Sequence, residues 1–352
     1  MRPLEPLRAP VDPVVALQRI TWLLERQRER SCRVEAFRKA ARAATALGAD
    51  AVAERAADGS LPQVEHIGTT TARVLVEAVN GQVPDYLARL QEQPDPFPPQ
   101  EAAALVSELR GDLHAHTDWS DGGASIDEMA AAAAAMGYAW LAITDHSPRL
   151  TVAHGLTAER LTDQMAQIAQ WNTTRRNSGH QTLRLLTGIE VDILDDGALD
   201  QSDDLLAELD VVTASVHSKL RMEHDAMTAR LVAAASDPRV NVLGHCTGRR
   251  VLTGRGHRPP STFDAEAVFR ACAAHGTAVE INSRPERVDP PDELITMARD
   301  LGCLFAIDSD AHAPGQLDFL DHGCARAVEL GVPAERIVNT WPMEDLLAWA
   351  AR

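Results

Sequence analysis

The chain has 352 residues and a formal net charge of −17, from 34 basic and 51 acidic groups, with 45% hydrophobic residues. That length can bury one large and one small core without disulfide staples, and no run approaches the roughly 20 apolar residues needed to cross a bilayer. Five widely spaced cysteines (Cys32, Cys246, Cys272, Cys303, Cys324) with no CxxC pair argue against a disulfide framework and a zinc ribbon, so we expect a soluble, cytoplasmic protein with no membrane partner.

In chain order, VVALQRITWLLERQRER, RVEAFRKAARAATAL, ADAVAERAA and TARVLVEAVN each place apolar residues at helical spacing, with turns at Gly48, Gly59, Pro62, Gly68 and Gly81. This predicts a small all-α domain over residues 1–92. QEQPDPFPPQ holds four prolines in ten residues and opens an extended linker over 93–109. The charge changes with it: residues 1–100 balance 13 basic against 13 acidic groups, so the whole acidic excess lies beyond.

From residue 110 the pattern becomes seven short β-branched or apolar runs: RGDLHA, AWLAITDH, LRLLTGIEV, DVVTASVH, VNVLGHC, TAVEIN and CLFAIDSD. Helical stretches at 125–137, 157–172, 262–276 and 291–302 separate them. Alternating strands and helices imply parallel strands, in an open sheet or a closed barrel. Strand after strand ends in a group able to bind metal: His114 and His116, Asp145 and His146, Glu190, His217, His245, Asn282, then Asp308, Asp310 and His312. A barrel gathers all these ends at one mouth, whereas an open sheet spreads them along an edge. We therefore expect residues 110–352 to form a distorted seven-stranded (β/α) barrel.

His114 and His116 form an H-x-H pair, which on a strand sets both imidazoles on one face about 7 Å apart. Asp310 and His312 repeat that spacing on the last run. No thiolate joins the set, so imidazole and carboxylate would hold zinc, manganese or iron in preference to magnesium or calcium. The ligands exceed what one tetrahedral ion needs, which predicts two to three divalent ions.

In order and spacing, GDLHAHTDWSDG, AITDHS, TGIEVDIL, SVHS, LGHCTGR, EIN and SDAH resemble the motifs of the polymerase and histidinol phosphatase (PHP) domain. The stretch TGIEVDILDDGALDQSDDLLAELDVVTASVHS looks closest to the PHP module of bacterial family X DNA polymerases. That resemblance implies a trinuclear site. One ion would take His114, His116, Glu190 and Asp310; a second would share Glu190 and add His217 and His245; a third would take Asp121, His146 and His312. Two ions bridged by Glu190 would sit about 3.5–4 Å apart and activate a hydroxide for in-line attack on phosphorus. Lys219, Arg249, Arg284 and Arg287, all just beyond strand ends, are candidate cations for the phosphoester substrate. His154 and His257 lie in loops from which a proton could reach a leaving oxygen, and Cys246 reads as packing.

RVEAFRKAARAA and LPQVEHIGTTTARVLVEAV resemble the helical DNA-binding unit of family X polymerases, with a helix-hairpin-helix turn near Val64 to Ala72. There, Gly68, Thr69 and Ala72 would approach a DNA phosphate, although His66 stands where the first hairpin glycine usually lies. Residues 19–42 hold eight basic groups against three acidic ones. A polymerase catalytic domain, of roughly 200 residues by the resemblance, is absent between the two parts. The expected function is thus metal-dependent hydrolysis of DNA phosphodiesters, as a 3′-5′ exonuclease or 3′-end processing enzyme, without polymerase activity. The alternative is a small-molecule phosphomonoesterase of the histidinol phosphatase type.

Overall fold

In the computed structural model, which describes residues 6–29, 31–93, 102–177, 183–251 and 256–352, the chain divides into two units, 1–98 and 99–352. The prolines of the expected linker that fall within 94–101 lie outside the described residues.

The first unit is all helical: α1 (Pro13–Arg26), α2 (Ser31–Leu47), α3 (Ala49–Asp58), α4 (Thr69–Val79) and α5 (Asp85–Gln91). Asp12 starts α1 by accepting the Val14 and Val15 amides at 2.9 and 3.0 Å, with Pro13 preset for the first turn. Leu17, Ile20 and Leu24 of α1 pack with Phe37 and Ala44 of α2, Val74 and Leu75 of α4 and Leu87 of α5. Burial of this stripe at the i, i+3, i+4, i+7 spacing holds the five helices together.

In the second unit, α6 (Ala103–Glu108) forms inside the stretch expected as linker, because Leu105, Val106 and Leu109 bury their side chains. Seven strands follow: β1 (Gly111–Asp112), β2 (Trp140–Ile143), β3 (Arg184–Asp192), β4 (Val211–Ser215), β5 (Val242–Leu243), β6 (Ala278–Asn282) and β7 (Phe305–Asp308). They pair in sequence order and all in parallel. Helices α7 (Ile126–Ala135), α8 (Ala158–Asn177), α9 (Asp203–Leu206), α10 (His224–Ala235), α11 (Ala265–His275) and α12 (Asp292–Asp300) make the crossovers. A parallel bridge from Ala115 to Ala311 and a 2.7 Å bond from the His116 amide to the Ala311 carbonyl bring the two edges together. The sheet is a nearly closed seven-stranded barrel, distorted at β3, whose first half pairs with β2 and second half with β4.

The barrel interior is apolar at its N-terminal end, where Trp140, Leu186, Val211, Val242, Ala278 and Ala306 meet. Val338 and Leu346 of the C-terminal segment, the latter from α14 (Met343–Ala350), seal that end. Side chains alternate along a strand, so each inward position repeats every second residue. Along β6 the inward series runs Ala278, Glu280, Asn282, from apolar floor to polar mouth. The same two-residue step puts Leu186 in the floor and Glu190 in the mouth on β3.

Candidate metal centre

The mouth collects side chains from six strand ends. His114 and His116 follow β1, His146 follows β2, Glu190 lies on β3, His217 and His245 follow β4 and β5, and Asp310 and His312 follow β7. Asp121 comes from the turn after β1, which closes through a Gly122 amide to Thr117 carbonyl bond (2.9 Å) and a Gly123 amide to His312 carbonyl bond (2.7 Å). Those bonds bring Asp121 Oδ1 to 3.4 Å from His312 Nε2 and 3.5 Å from His146 Nε2. Asp310 sits at φ 51°, a left-handed conformation that costs a non-glycine residue energy and that Asp tolerates better than most.

Glu190 is the centre of the arrangement. Its Oε1 faces His245 Nε2 (2.8 Å) and His217 Nε2 (3.1 Å), and its Oε2 faces His146 Nδ1 (2.8 Å), His114 Nε2 (3.3 Å) and His116 Nε2 (3.6 Å). The two oxygens thus divide five histidines into two sets. Three groups have ligand atoms close enough to share an ion: His114, His116 and Glu190; His146, Glu190 and His217; and His116, Asp121, His146 and His312. Asp310 Oδ1 lies 3.5 Å from His116 Nε2 and borders the first group.

Buried polar atoms are normally satisfied, yet His114 Nε2, both ring nitrogens of His116, Glu190 Oε2 and His217 Nε2 are buried without a well-formed hydrogen bond. Unsatisfied imidazole lone pairs converging on one carboxylate fit divalent cations, and the nitrogen and oxygen donor set suits zinc, manganese or iron. The electrostatics agree. Burial acts to raise the Glu190 pKa, but His217, His114 and His146 outweigh it and hold the carboxyl well below its usual range. Burial likewise opposes ionisation of Asp310, and Arg287 and Arg284 outweigh it. His116 is held well below the usual imidazole value by burial and by the charges of His312 and His146, so it offers a lone pair at neutral pH.

Three strand-end groups that the sequence marks as able to bind metal do other work. Asp145 accepts the Thr117 amide (2.8 Å), the Thr117 hydroxyl (2.6 Å) and the Gln164 side-chain amide (2.6 Å), shaping the turn that carries Asp121. Asp308 accepts the Leu113 amide and the Asn339 side-chain amide, both at 3.0 Å, across the β1–β7 seam. Asn282 donates to Glu280 and Asp310, each at 3.1 Å. Two supporting carboxylates escape sequence reading. Glu280 meets His114 Nδ1 at 2.6 Å, and Asp192 meets His217 Nδ1 at 3.3 Å and its amide at 3.0 Å. The E of EIN, two residues before the strand end, was the available signal for Glu280.

The four candidate substrate cations are placed less simply. Lys219 is exposed and pairs with Asp195. Arg249 binds the Val288 carbonyl through Nη2. Arg284 reaches the Asp310 carbonyl (2.7 Å), His312 Nδ1 (2.9 Å) and Glu286 (2.9 Å), and Arg287 Nε binds Asp310 Oδ2 at 2.8 Å. Both of these arginines therefore brace a carboxylate of the cluster. His154 and His257 are exposed in their loops, and Cys246 is buried, its thiol pushed well up by burial and by Asp289. In the helical unit, Gly68 and Thr69 are exposed at the start of α4. Ala72 is buried and its amide bonds the Gly68 carbonyl at 2.8 Å, so the expected phosphate contact through Ala72 is corrected: the helix already uses that N–H. His66 takes φ 69°, the left-handed conformation that a glycine would supply.

A parallel barrel whose strand ends gather histidines and carboxylates at one mouth has the build of a metal-dependent hydrolase. The PHP domain model matches residues 112–284. A probable phosphatase of Edwardsiella ictaluri is 30% identical over 246 residues, covering 67% of this chain and 91% of that protein. The chain belongs to the PHP domain family and is a metal-dependent phosphoester hydrolase. It is also similar to the DNA polymerase/3′-5′ exonuclease PolX of Bacillus subtilis, 37% identical over 247 residues, which cover 70% of this chain and 42% of that protein; the chain spans less than half of that relative. A solved structure of histidinol phosphate phosphatase from Lactococcus lactis, complexed with zinc, L-histidinol and phosphate, overlays 63% of this chain and 94% of its own with a TM-score of 0.45 at 18% identity. That overlay is too loose to transfer a ligand or a residue role. No described helix is long and apolar enough to cross a membrane.

Proposed function

We propose that the barrel hydrolyses DNA phosphodiesters from a 3′ end at a centre of three divalent ions. The observation that carries the metal reading is the division of the Glu190 carboxylate, with His217 and His245 on one oxygen and His114, His116 and His146 on the other. Glu190 would bridge two ions, Asp310 would complete the first, and Asp121, His146 and His312 would hold the third. When bound, such ions supply Lewis acidity to phosphoryl oxygens and an activated water nucleophile near neutral pH. The chain's own residues do the rest: Arg287 fixes Asp310 through Oδ2 so that Oδ1 faces His116, and Arg284 holds His312. The third group is the more open one, with Asp121 36% and His312 23% exposed against 0–12% for the histidines and glutamate around Glu190. A phosphate oxygen or leaving group would therefore enter there.

DNA is favoured as substrate by the 37% identity to the Bacillus protein, whose name includes a 3′-5′ exonuclease, and by a second, helical unit that we read as a nucleic-acid anchor through Gly68 and Thr69. Five free cysteines suit a reducing, cytoplasmic setting. A monoester phosphatase is the second reading, supported by a relative that the chain covers over 91% of its length under the name of phosphatase and by His66 in the hairpin.

The test is manganese- or zinc-dependent cleavage of a 5′-labelled single-stranded oligonucleotide beside an aryl phosphate. Stepwise shortening, reduced at least about 100-fold in His114→Ala, is expected, since loss of a direct ligand should cost no less than loss of a supporting one. Release of phosphate from the monoester with intact oligonucleotide would move the protein to the second reading.

A further inference from the structure

Glu280 lies on β6 with no solvent exposure and makes three contacts. His114 Nδ1 meets its Oε1 at 2.6 Å, while the His245 backbone amide (2.5 Å) and the Asn282 side-chain amide (3.1 Å) donate to Oε2. As an ionised carboxylate Glu280 only accepts, so the short contact with His114 pairs Oε1 with an imidazole proton on Nδ1. That leaves His114 Nε2 as the free end of the ring. Nε2 is buried, lacks a hydrogen-bond partner and faces Glu190 Oε2 at 3.3 Å. The same carboxylate holds the backbone from which His245 projects, and Asn282 passes the contact on to Asp310 Oδ2 at 3.1 Å.

We propose that Glu280 is the positioning residue of the metal centre, fixing His114 as an Nε2 ligand and setting the backbone of His245; this rests on the metal reading above. A carboxylate behind a ligating imidazole orients the ring and raises its basicity. Glu280→Gln keeps the shape but exchanges one acceptor for an NH2 group. If the NH2 faces His245, two N–H groups oppose each other. If it faces His114, the imidazole must accept at Nδ1 and carry its proton on Nε2, where it can no longer bind an ion.

The experiment uses the whole chain, stripped with chelator and reloaded with zinc. Zinc affinity and stoichiometry are measured against a competing chelator, and the imidazole nitrogens are read by 15N NMR, with the His114 signals identified by their loss in His114→Gln. In the wild-type protein we expect zinc on Nε2 of His114 and a proton on Nδ1. Glu280→Gln should weaken the affected site 10–100-fold, the range for a lost supporting partner. Zinc on Nδ1 of His114, or affinity within about twofold of wild type in Glu280→Gln, would overturn the proposal while leaving the metal centre standing. If Glu280→Gln fails to fold, the wild-type ring assignment decides alone. A wild-type protein that takes up no zinc or manganese sinks the metal reading itself.

Discussion

At the scale of single residues, His217 stands between two carboxylates, Glu190 at 3.1 Å and Asp192 at 3.3 Å. Burial acts to lower its pKa, but the two acids outweigh burial and raise it to about 9. An unfolded histidine titrates near ~6.5, so the folded value lies above the unfolded one. The bound proton therefore stabilises the metal-free fold fully below about 6.5, and that contribution is lost as pH rises through about 9. We expect the melting temperature of chelator-treated protein to fall across this window, and to fall less in His217→Gln. Equal slopes in the two proteins would remove His217 as the source. Metal must displace the same proton, so zinc affinity should rise over the same range. Eight of the nine ligand candidates were legible because imidazoles and carboxylates at strand ends are chemically conspicuous, whereas Asp121 came from the resemblance to the PHP motifs. Glu280 and Asp192 were not, because a buried acid reveals its partner only in three dimensions.

At the scale of elements, eight of the described helices and all seven strand positions follow from the sequence pattern, whereas α5, α6, α9, α10, α13 (Leu320–Glu329) and α14 went unread. In α10 the sequence HDAMTARLVAAA is rich in alanine, which forms helix readily but marks no face. β1 and β5 are only two residues long, shorter than the runs RGDLHA and VNVLGHC implied. The chain leaves the ladder there, and the residues that leave it carry His114 and His245. Gly188 marks where β3 changes partner, from Ile143 opposite Thr187 to Val211 opposite Gly188. A Cβ at that position would lie 2.9 Å from both the Val211 carbonyl oxygen and Thr144 Cγ2, and 3.1 Å from the Ile143 carbonyl oxygen. Gly188→Ala should cost about 1–3 kcal/mol in denaturant unfolding through this overpacking. An unchanged midpoint would mean that β2 and β4 can part without penalty.

At the scale of the whole molecule, the acidic excess lies in residues 101–352 while residues 1–100 are balanced, so the barrel as a whole repels a polyanion outside its metal site. Any hold on DNA beyond the scissile phosphate must then come from local basic groups, and such contacts release counterions. Oligonucleotide cleavage should fall steeply between 50 and 200 mM salt, on the order of tenfold or more, while aryl phosphate cleavage changes little. Parallel salt curves for the two substrates would argue against the helical unit as an anchor. The sequence by itself determined the two-part organisation, the alternation of strands and helices and the residue types of the centre, because periodicity and ligand chemistry are local properties of the chain. Only the tertiary structure decided which oxygen of Glu190 faces which histidine, that Arg284 and Arg287 brace Asp310 and His312, and that Asp145 and Asp308 serve the frame. Those assignments depend on distances between residues up to about two hundred positions apart, which barrel closure sets and no local pattern records.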